Sequence, residues 1–298
     1  MPNEAQETES LSWTHHVSLG MAVKRILVPL DSSAFSDGAA ETACRVAKIH
    51  QAEVAGVAVL DSPEIRSSLV PAIGPYYPLM IEEVQAKVDH ANKILSDCLD
   101  RFSGICNKAG VRHVETEYEG IPVQKLLESS IFFDLVVMGL ETSFHFETRN
   151  GRGDTLDKML DRTATPLLAV PPSGLETVEK VTIAFDGSFS ASRALRDFIS
   201  FGKPLDPEIL VATANLPEGE SDFLLRNVRA LLNAHGYTDI NTQAFDKPID
   251  EAIRGKIIDS SDLVVAGIHS RSNLKAFFVG SFTLELIERG DTALFLSH

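Results

Sequence analysis

"KRILVPLDSSAFSDGAA", residues 24–40, and "EKVTIAFDGSFSASRAL", residues 179–195, follow one pattern. Each opens on a charge, runs through an apolar stretch of strand length, and reaches an aspartate (Asp31, Asp186). Each then turns through small residues that include a serine (Ser33, Ser188) and enters a helical periodicity. A buried strand, a tight turn and a helix in that order open a parallel βαβ unit. Two further pairs follow in the same order: "FDLVVMG" (133–139) with "SDLVVAG" (261–267), and "TPLLAV" (165–170) with "TALFLS" (292–297). Three matches in one order make the chain a tandem duplication.

Between these anchors, periodicity predicts strands at 24–30, 53–60, 113–118, 134–138 and 166–170 in the first half. The intervening helices fall at 34–49, about 80–109, 121–131 and 153–163. In the second half strands fall at 180–185, 208–214, 239–245, 262–266 and 292–297, and helices at 189–202, 221–235, 248–259 and 281–289. Short, continuously apolar strands alternating with helices imply a parallel sheet covered on both faces. Ile81, Val84, Val88, Leu95, Leu99 and Phe102 keep a helical stripe along the long helix and are expected in the core. "VPPSGLETVE" breaks both periodicities, which places the boundary there. The expected organisation is a tail at 1–22 and two doubly wound α/β domains, 23–173 and 174–298. The apolar last strand "ALFLS" points to association, because an exposed edge of this kind is a liability unless paired.

With 298 residues and 44% hydrophobic content the chain can bury a large core. Its net charge of −15 argues against nucleic acid or an anionic membrane as the main partner. No apolar run reaches the roughly 20 residues of a membrane span, and the polar, acidic start lacks the features of a signal peptide. Three cysteines, Cys44, Cys98 and Cys106, do not form a disulfide framework and fit reduced, cytoplasmic thiols. Cys98 and Cys106, eight residues apart on one helix, stand roughly 12 Å from each other. Zincin, thioredoxin and nucleophile-elbow motifs are absent, as are the Walker A and dinucleotide fingerprints.

In doubly wound sheets ligands bind at the carboxyl ends of the strands, near the point where strand order reverses. Asp186 and Gly267 both sit at such ends. The connection after Gly267, "IHSRSNLKAFFVGSF", closes on Gly280 and Ser281 before the next helix. A helix start presents unpaired N–H groups and a partial positive charge. Gly280 permits close backbone approach, Ser281 and Thr283 offer hydroxyls, and Arg271 and Lys275 add positive potential. The segment therefore fits a phosphate cradle, and equally a plain serine-capped helix start.

The strand ending in Asp-Gly-Ser, the "DLVVAG" strand and the glycine-punctuated loop resemble the universal stress protein family, here as two such domains from about residue 24 to the C-terminus. The resemblance implies the Rossmann-like fold of the adenine-nucleotide alpha-hydrolase type and binding of ATP or AMP, with or without magnesium. In nucleotide-binding members the loop reads glycine, two residues, glycine, nine residues, glycine and then serine or threonine. Here it reads Gly267, two residues, Ser270, nine residues, Gly280 and Ser281, so the spacing is kept and the middle glycine is replaced. By resemblance Gly267 and Ser270 line the ribose and phosphate path, and Gly280, Ser281, Phe282 and Thr283 hold phosphates. Asp186 stands near the ribose or a metal, Ala214 offers its backbone to adenine, and His269 and Arg271 are contacts from the loop. Ser270 costs about 1 kcal/mol or more if the position needs positive φ.

The equivalent first-half positions are Asp31, Val59, Gly139, Gly153 and Asp154, with Thr142 at the middle glycine and a loop one residue longer. Asp154 stands where Ser281 does, and its charge would repel a phosphate by about 4 kcal/mol at about 4 Å and an effective dielectric near 20. The first site is thus expected to be degenerate. The resulting expectation is a cytoplasmic stress-response protein, not an enzyme beyond slow ATP hydrolysis. Its second domain binds the nucleotide, and it acts through conformation or an unidentified protein partner, as a homo-oligomer or an intrachain pseudo-dimer. The alternative is a pseudo-dimeric scaffold without nucleotide, its halves paired through strands 166–170 and 292–297, an edge pairing that the resemblance implies within one chain or between two. The insertion around Tyr76 and Tyr77 either covers a cleft or packs the long helix onto its sheet.

Overall fold

The computed structural model describes residues 23–67, 77–144, 155–202, 205–214, 216, 219–246, 261–268 and 285–298. The first half comprises β1 (Arg25–Pro29), α1 (Ala34–His50), β2 (Glu53–Leu60), α2 (Ser62–Ser67), α3 (Tyr77–Ala109), β3 (His113–Glu119), α4 (Pro122–Ser130), β4 (Leu135–Gly139), α5 (Thr155–Leu160) and β5 (Leu167–Val170). The second comprises β6 (Lys180–Ala184), α6 (Phe189–Gly202), β7 (Glu208–Ala214), α7 (Glu220–Ala234), β8 (Ile240–Phe245), β9 (Leu263–Gly267) and β10 (Ala293–Ser297). Residues 285–289 are also helical; the helix expected at 248–259 and the start of the one expected at 281 lie outside the described residues.

All ten strands form one sheet, in the order β3-β2-β1-β4-β5-β10-β9-β6-β7-β8. Within each half the ladders are parallel. Winding reverses between β1 and β4, and again between β6 and β9. The halves join where β10 runs antiparallel to β5, with Leu294 opposite Ala169, Phe295 opposite Leu168 and Leu296 opposite Leu167. This seam is the edge pairing that the resemblance implies for the two terminal strands.

The central strands are buried on both faces because helices cover both. β4 and β9, "LVVMG" and "LVVAG", have no exposed residue. Alternate strand residues pack with α1, α3, α6 and α7 on one side and with α4, α5 and 285–289 on the other. The aspartate that precedes each of these strands has a local task. Asp134 Oδ2 accepts the backbone N–H groups of Lys24 and Arg25 at 2.8 and 2.9 Å. Asp262 Oδ2 accepts those of Glu179 and Lys180 at 2.8 and 2.9 Å. The duplicated Asp-Leu-Val-Val thus aligns neighbouring strands at their starts.

α3 begins at Tyr77, three residues earlier than its periodicity suggests, and only part of its apolar stripe is core. Ala91, Leu95, Cys98, Phe102 and Cys106 are buried, whereas Ile81 is exposed and Val84 and Val88 are half-buried. Length explains this. A helix of 33 residues spans about 50 Å, and the 8-residue β2 beneath it spans about 26 Å. The first turns of α3 therefore overrun the sheet. Phe102 sits over β2 at Gly56, where an added Cβ would meet its ring carbons at 2.6 Å.

Between β5 and β6 the chain is held against α1. Leu175 N–H donates to Thr42 Oγ1 at 2.8 Å, and Arg45 donates to the Leu175 carbonyl at 3.1 Å. Gly174 takes a φ of 70°, a conformation that favours glycine.

An aromatic cluster lies under the seam. Phe295 stacks on Phe201 at 5.1 Å and meets Phe198 edge-on at 6.1 Å, while Phe198 also stacks on Tyr237. From the first half, His50 stacks on Phe201 at 5.8 Å. His50 is buried, and among the described residues neither ring nitrogen makes a well-formed hydrogen bond. Burial holds its imidazole below the usual histidine range; the Phe201 carbonyl opposes this, and nearby Lys24 reinforces it. A histidine with a depressed folded pKa binds its proton first in the unfolded chain, so stability falls as pH drops below the unfolded value near 6.5. One such site changes stability by at most about 1.4 kcal/mol per pH unit. Urea denaturation at pH 7.5 and 5.5 is expected to show a smaller acid loss for His50→Leu than for the native chain. Equal losses would mean that His50 is not the neutral group described.

Candidate functional site

The two reversal points carry the same constellation. After β1 the chain reaches Asp31, beside the end of β4 at Gly139; after β6 it reaches Asp186, beside the end of β9 at Gly267. Val59 and Ala214, both buried, stand at the ends of β2 and β7 on the far side of these strands. The fold therefore assembles Asp186, Ala214 and Gly267 at one end of the second half, and Asp31, Val59 and Gly139 at the matching end of the first. His269, Ser270, Arg271, Gly280, Ser281, Phe282 and Thr283, with Gly153 and Asp154, lie outside the described residues.

The two glycines are explained by packing. A Cβ at Gly267 would lie 2.4 Å from Ala191 N and from the carbonyl carbon of Ser190, in the first turn of α6. At Gly139 it would lie 2.4 Å from Phe35 Cβ in the first turn of α1. Each helix starts directly against the end of the neighbouring strand. A side chain is excluded at both positions before any ligand is considered.

The aspartates differ. Asp31 is 1% exposed, and its Oδ1 accepts Ser33 N–H at 3.0 Å and Ser33 Oγ at 2.6 Å. Its Oδ2 accepts the backbone N–H of Ser143 at 2.7 Å, from the segment after β4. Thr142, fully buried, closes that segment through a bond from its hydroxyl to the Gly139 carbonyl at 3.1 Å, and Phe144 is buried in the same apolar cluster as Val59. Arg101 from α3 donates to the Asp31 carbonyl at 3.4 Å and pairs with Asp37 at 3.3 Å. Burial pushes the Asp31 carboxyl above its ordinary range, opposed by the Ser33 and Ser143 hydrogen bonds and by Arg101. In the first half, then, the crevice aspartate is occupied by its own chain.

Asp186 is half-buried, and its Oδ1 accepts Ser188 N–H at 2.9 Å. One residue before Ala214, Thr213 is buried, and its hydroxyl has no hydrogen-bond partner among the described residues. Ala58 occupies the equivalent place in β2 and packs against Leu95 and Ile65. Among the described residues Asp186 thus accepts one hydrogen bond, from Ser188, where the buried Asp31 accepts three, and Thr213 lies on the face of β7 opposite to that of Ala212 and Ala214. Neither Ser143 nor Arg101 is marked by a motif in the sequence; only the fold brings them to Asp31. Among the described residues no group of three or more His, Cys, Asp or Glu side chains is placed to hold a metal, and no helix is long and apolar enough to cross a membrane.

The universal stress protein family model matches residues 22–171. A universal stress protein of Synechocystis sp. is 21% identical over 213 residues, which cover 70% of this chain and 73% of the relative. Among solved structures, a universal stress protein from Archaeoglobus fulgidus superposes with a TM-score of 0.65 at 17% identity, covering 92% of this chain and 97% of the other. A functionally unknown protein from Pseudomonas aeruginosa matches with a TM-score of 0.58 at 12% identity, covering 93% of each. These superpositions extend over both halves and show the shared α/β fold. With the family model matching half of its length, the chain belongs to the universal stress protein family.

Proposed function

We propose that the second half, residues 174–298, binds an adenine nucleotide, ATP or AMP with or without magnesium, and that the first half, residues 23–173, does not. The observation that carries this is the difference between the two crevice aspartates: Asp31 is buried and saturated by Ser33 and Ser143, whereas Asp186 is half-buried and, among the described residues, accepts only from Ser188. The glycine and serine spacing from Gly267 through Ser270 to Gly280 and Ser281 supports it. Asp186 would hold the ribose, the Ala214 backbone the base, and the helix start after Gly280 the phosphates. His269, Arg271, Phe282 and Thr283 would complete the contacts from the same loop.

The output is conformational, not catalytic. No acid–base pair in the described crevice is placed to activate a water, so hydrolysis is expected to be slow. Phe189, next to Ser188 at the lip of the second crevice, is 98% exposed and supplies an apolar contact for a protein partner. Such a protein would act in the cytoplasm as a stress-response component. The alternative, a scaffold without nucleotide, is favoured by the seam, which holds the halves together without any ligand.

Equilibrium binding of ATP, with and without magnesium, to the intact chain and to Gly280→Asp tests this. The expected result is one equivalent per chain, lost in the variant. No binding at millimolar ATP would leave the scaffold alone standing. Two equivalents would overturn the exclusion of the first half.

A further inference from the structure

Along the chain Cys106 has Cys98 for company, but the fold gives it Cys44, 62 residues away, with the two Sγ atoms 3.5 Å apart. Cys44 lies on α1 and Cys106 in the last turn of α3, both buried in the core that these helices share. We propose that Cys44 and Cys106 are a covalent modification site, an oxidisable dithiol that a hydroperoxide converts to a disulfide between α1 and α3.

The contact already brings the sulfurs to van der Waals distance, so bond formation needs only a small approach of two side chains. Access comes from the helix end. Beyond Cys106 only Asn107, Lys108 and Ala109 remain before Gly110, whose φ of 68° terminates α3. A terminal turn opens at lower free energy than the middle of a helix. A hydroperoxide as small as hydrogen peroxide can enter through such an opening.

The roles of the two thiols are unequal. The hydrogen bond from Cys106 holds the Cys44 thiol below its ordinary range against burial, with Lys48 and Arg45 adding positive potential and Glu41 opposing. The same hydrogen bond, with burial, pushes Cys106 up. The attack is assigned to Cys44, where the positive charges of Lys48 and Arg45 favour a thiolate. Its sulfur takes an oxygen from the peroxide: the O–O bond breaks, the sulfur is oxidised to a sulfenic acid, and the remaining oxygen leaves as alcohol or water after taking a proton. Cys106 then attacks the Cys44 sulfur: the S–S bond forms, the S–O bond breaks, and the hydroxyl leaves with the Cys106 proton as water. Overall two thiols and one hydroperoxide give one disulfide, one alcohol or water, and one further water. Cys98 stands outside this pair; burial pushes its thiol up, and Arg101 donates to it at 3.6 Å. The cross-link would fasten α3 to the helix whose Thr42 and Arg45 hold Leu175 of the connection between the halves.

The test is hydrogen peroxide treatment of the intact chain, then unfolding, alkylation and peptide mapping. Alkylatable thiols are expected to fall from three to one, with Cys98 the survivor and the Cys44 and Cys106 peptides recovered as a linked pair that dithiothreitol separates. Cys98→Ser should still lose both remaining thiols, and Cys106→Ser should leave a sulfenic acid on Cys44 that dimedone captures. Retention of all three thiols, under exposure that oxidises the urea-unfolded chain, would overturn the proposal. So would a linked peptide containing Cys98. Mapping of the native chain decides the matter even if a variant fails to fold.

Discussion

Phe295→Ala is expected to destabilise the chain by about 3–5 kcal/mol, the usual cost of removing a buried aromatic ring. Phe295 is fully buried on β10, the strand that pairs with β9 of its own half and with β5 of the other. Its ring stacks on Phe201 and meets Phe198 edge-on, and Phe201 in turn carries His50 from the first half. The cavity would open beside the β5–β10 ladder that couples the halves. Far-UV circular dichroism in urea should show an earlier transition, broadened or split in two as cooperation between the halves weakens. A loss below about 1 kcal/mol would mean that the seam is held by its backbone ladder and not by its aromatic floor.

Gly267→Ala, and Gly139→Ala in the first half, are each expected to cost about 1–3 kcal/mol through overpacking. The obstacle at Gly267 is the backbone of Ser190 and Ala191, which cannot swing aside as a long side chain would. At Gly139 it is the Cβ and carbonyl carbon of Phe35, at 2.4 and 3.2 Å. Gly104, on α3, has nothing within 4 Å of the place an added Cβ would take. It serves as the control, since alanine there should stabilise by about 0.5–1 kcal/mol. If Gly267 were glycine only to admit a ligand, alanine would weaken nucleotide binding and leave the urea midpoint unchanged. Comparing midpoints of the three variants separates these outcomes.

The duplicated anchors make the fold legible. Asp134 and Asp262 repeat because both align strand starts, Gly139 and Gly267 repeat because a helix begins against each, and the flanking strands are apolar throughout because both faces are covered. Local periodicity overstates the core of α3, since it records which face of a helix is apolar and not how far the sheet beneath extends. The short helix α2 leaves no periodic signal, because its six residues are too few for a period to register. At the candidate site, sequence spacing singles out Asp31 and Gly139 but cannot show that Ser143 folds back onto Asp31, a contact across 112 residues.

The antiparallel seam between β5 and β10 has a further consequence for how the two halves can change. A homodimer closed on the same ladder would repeat every substitution on both sides of its axis, so a residue that shut one crevice would shut both. Here each side inherits its substitutions separately. Ser143 can close onto Asp31 in one half while Asp186 stays half-buried in the other, and the tether keeps the two halves in equal number at any protein concentration.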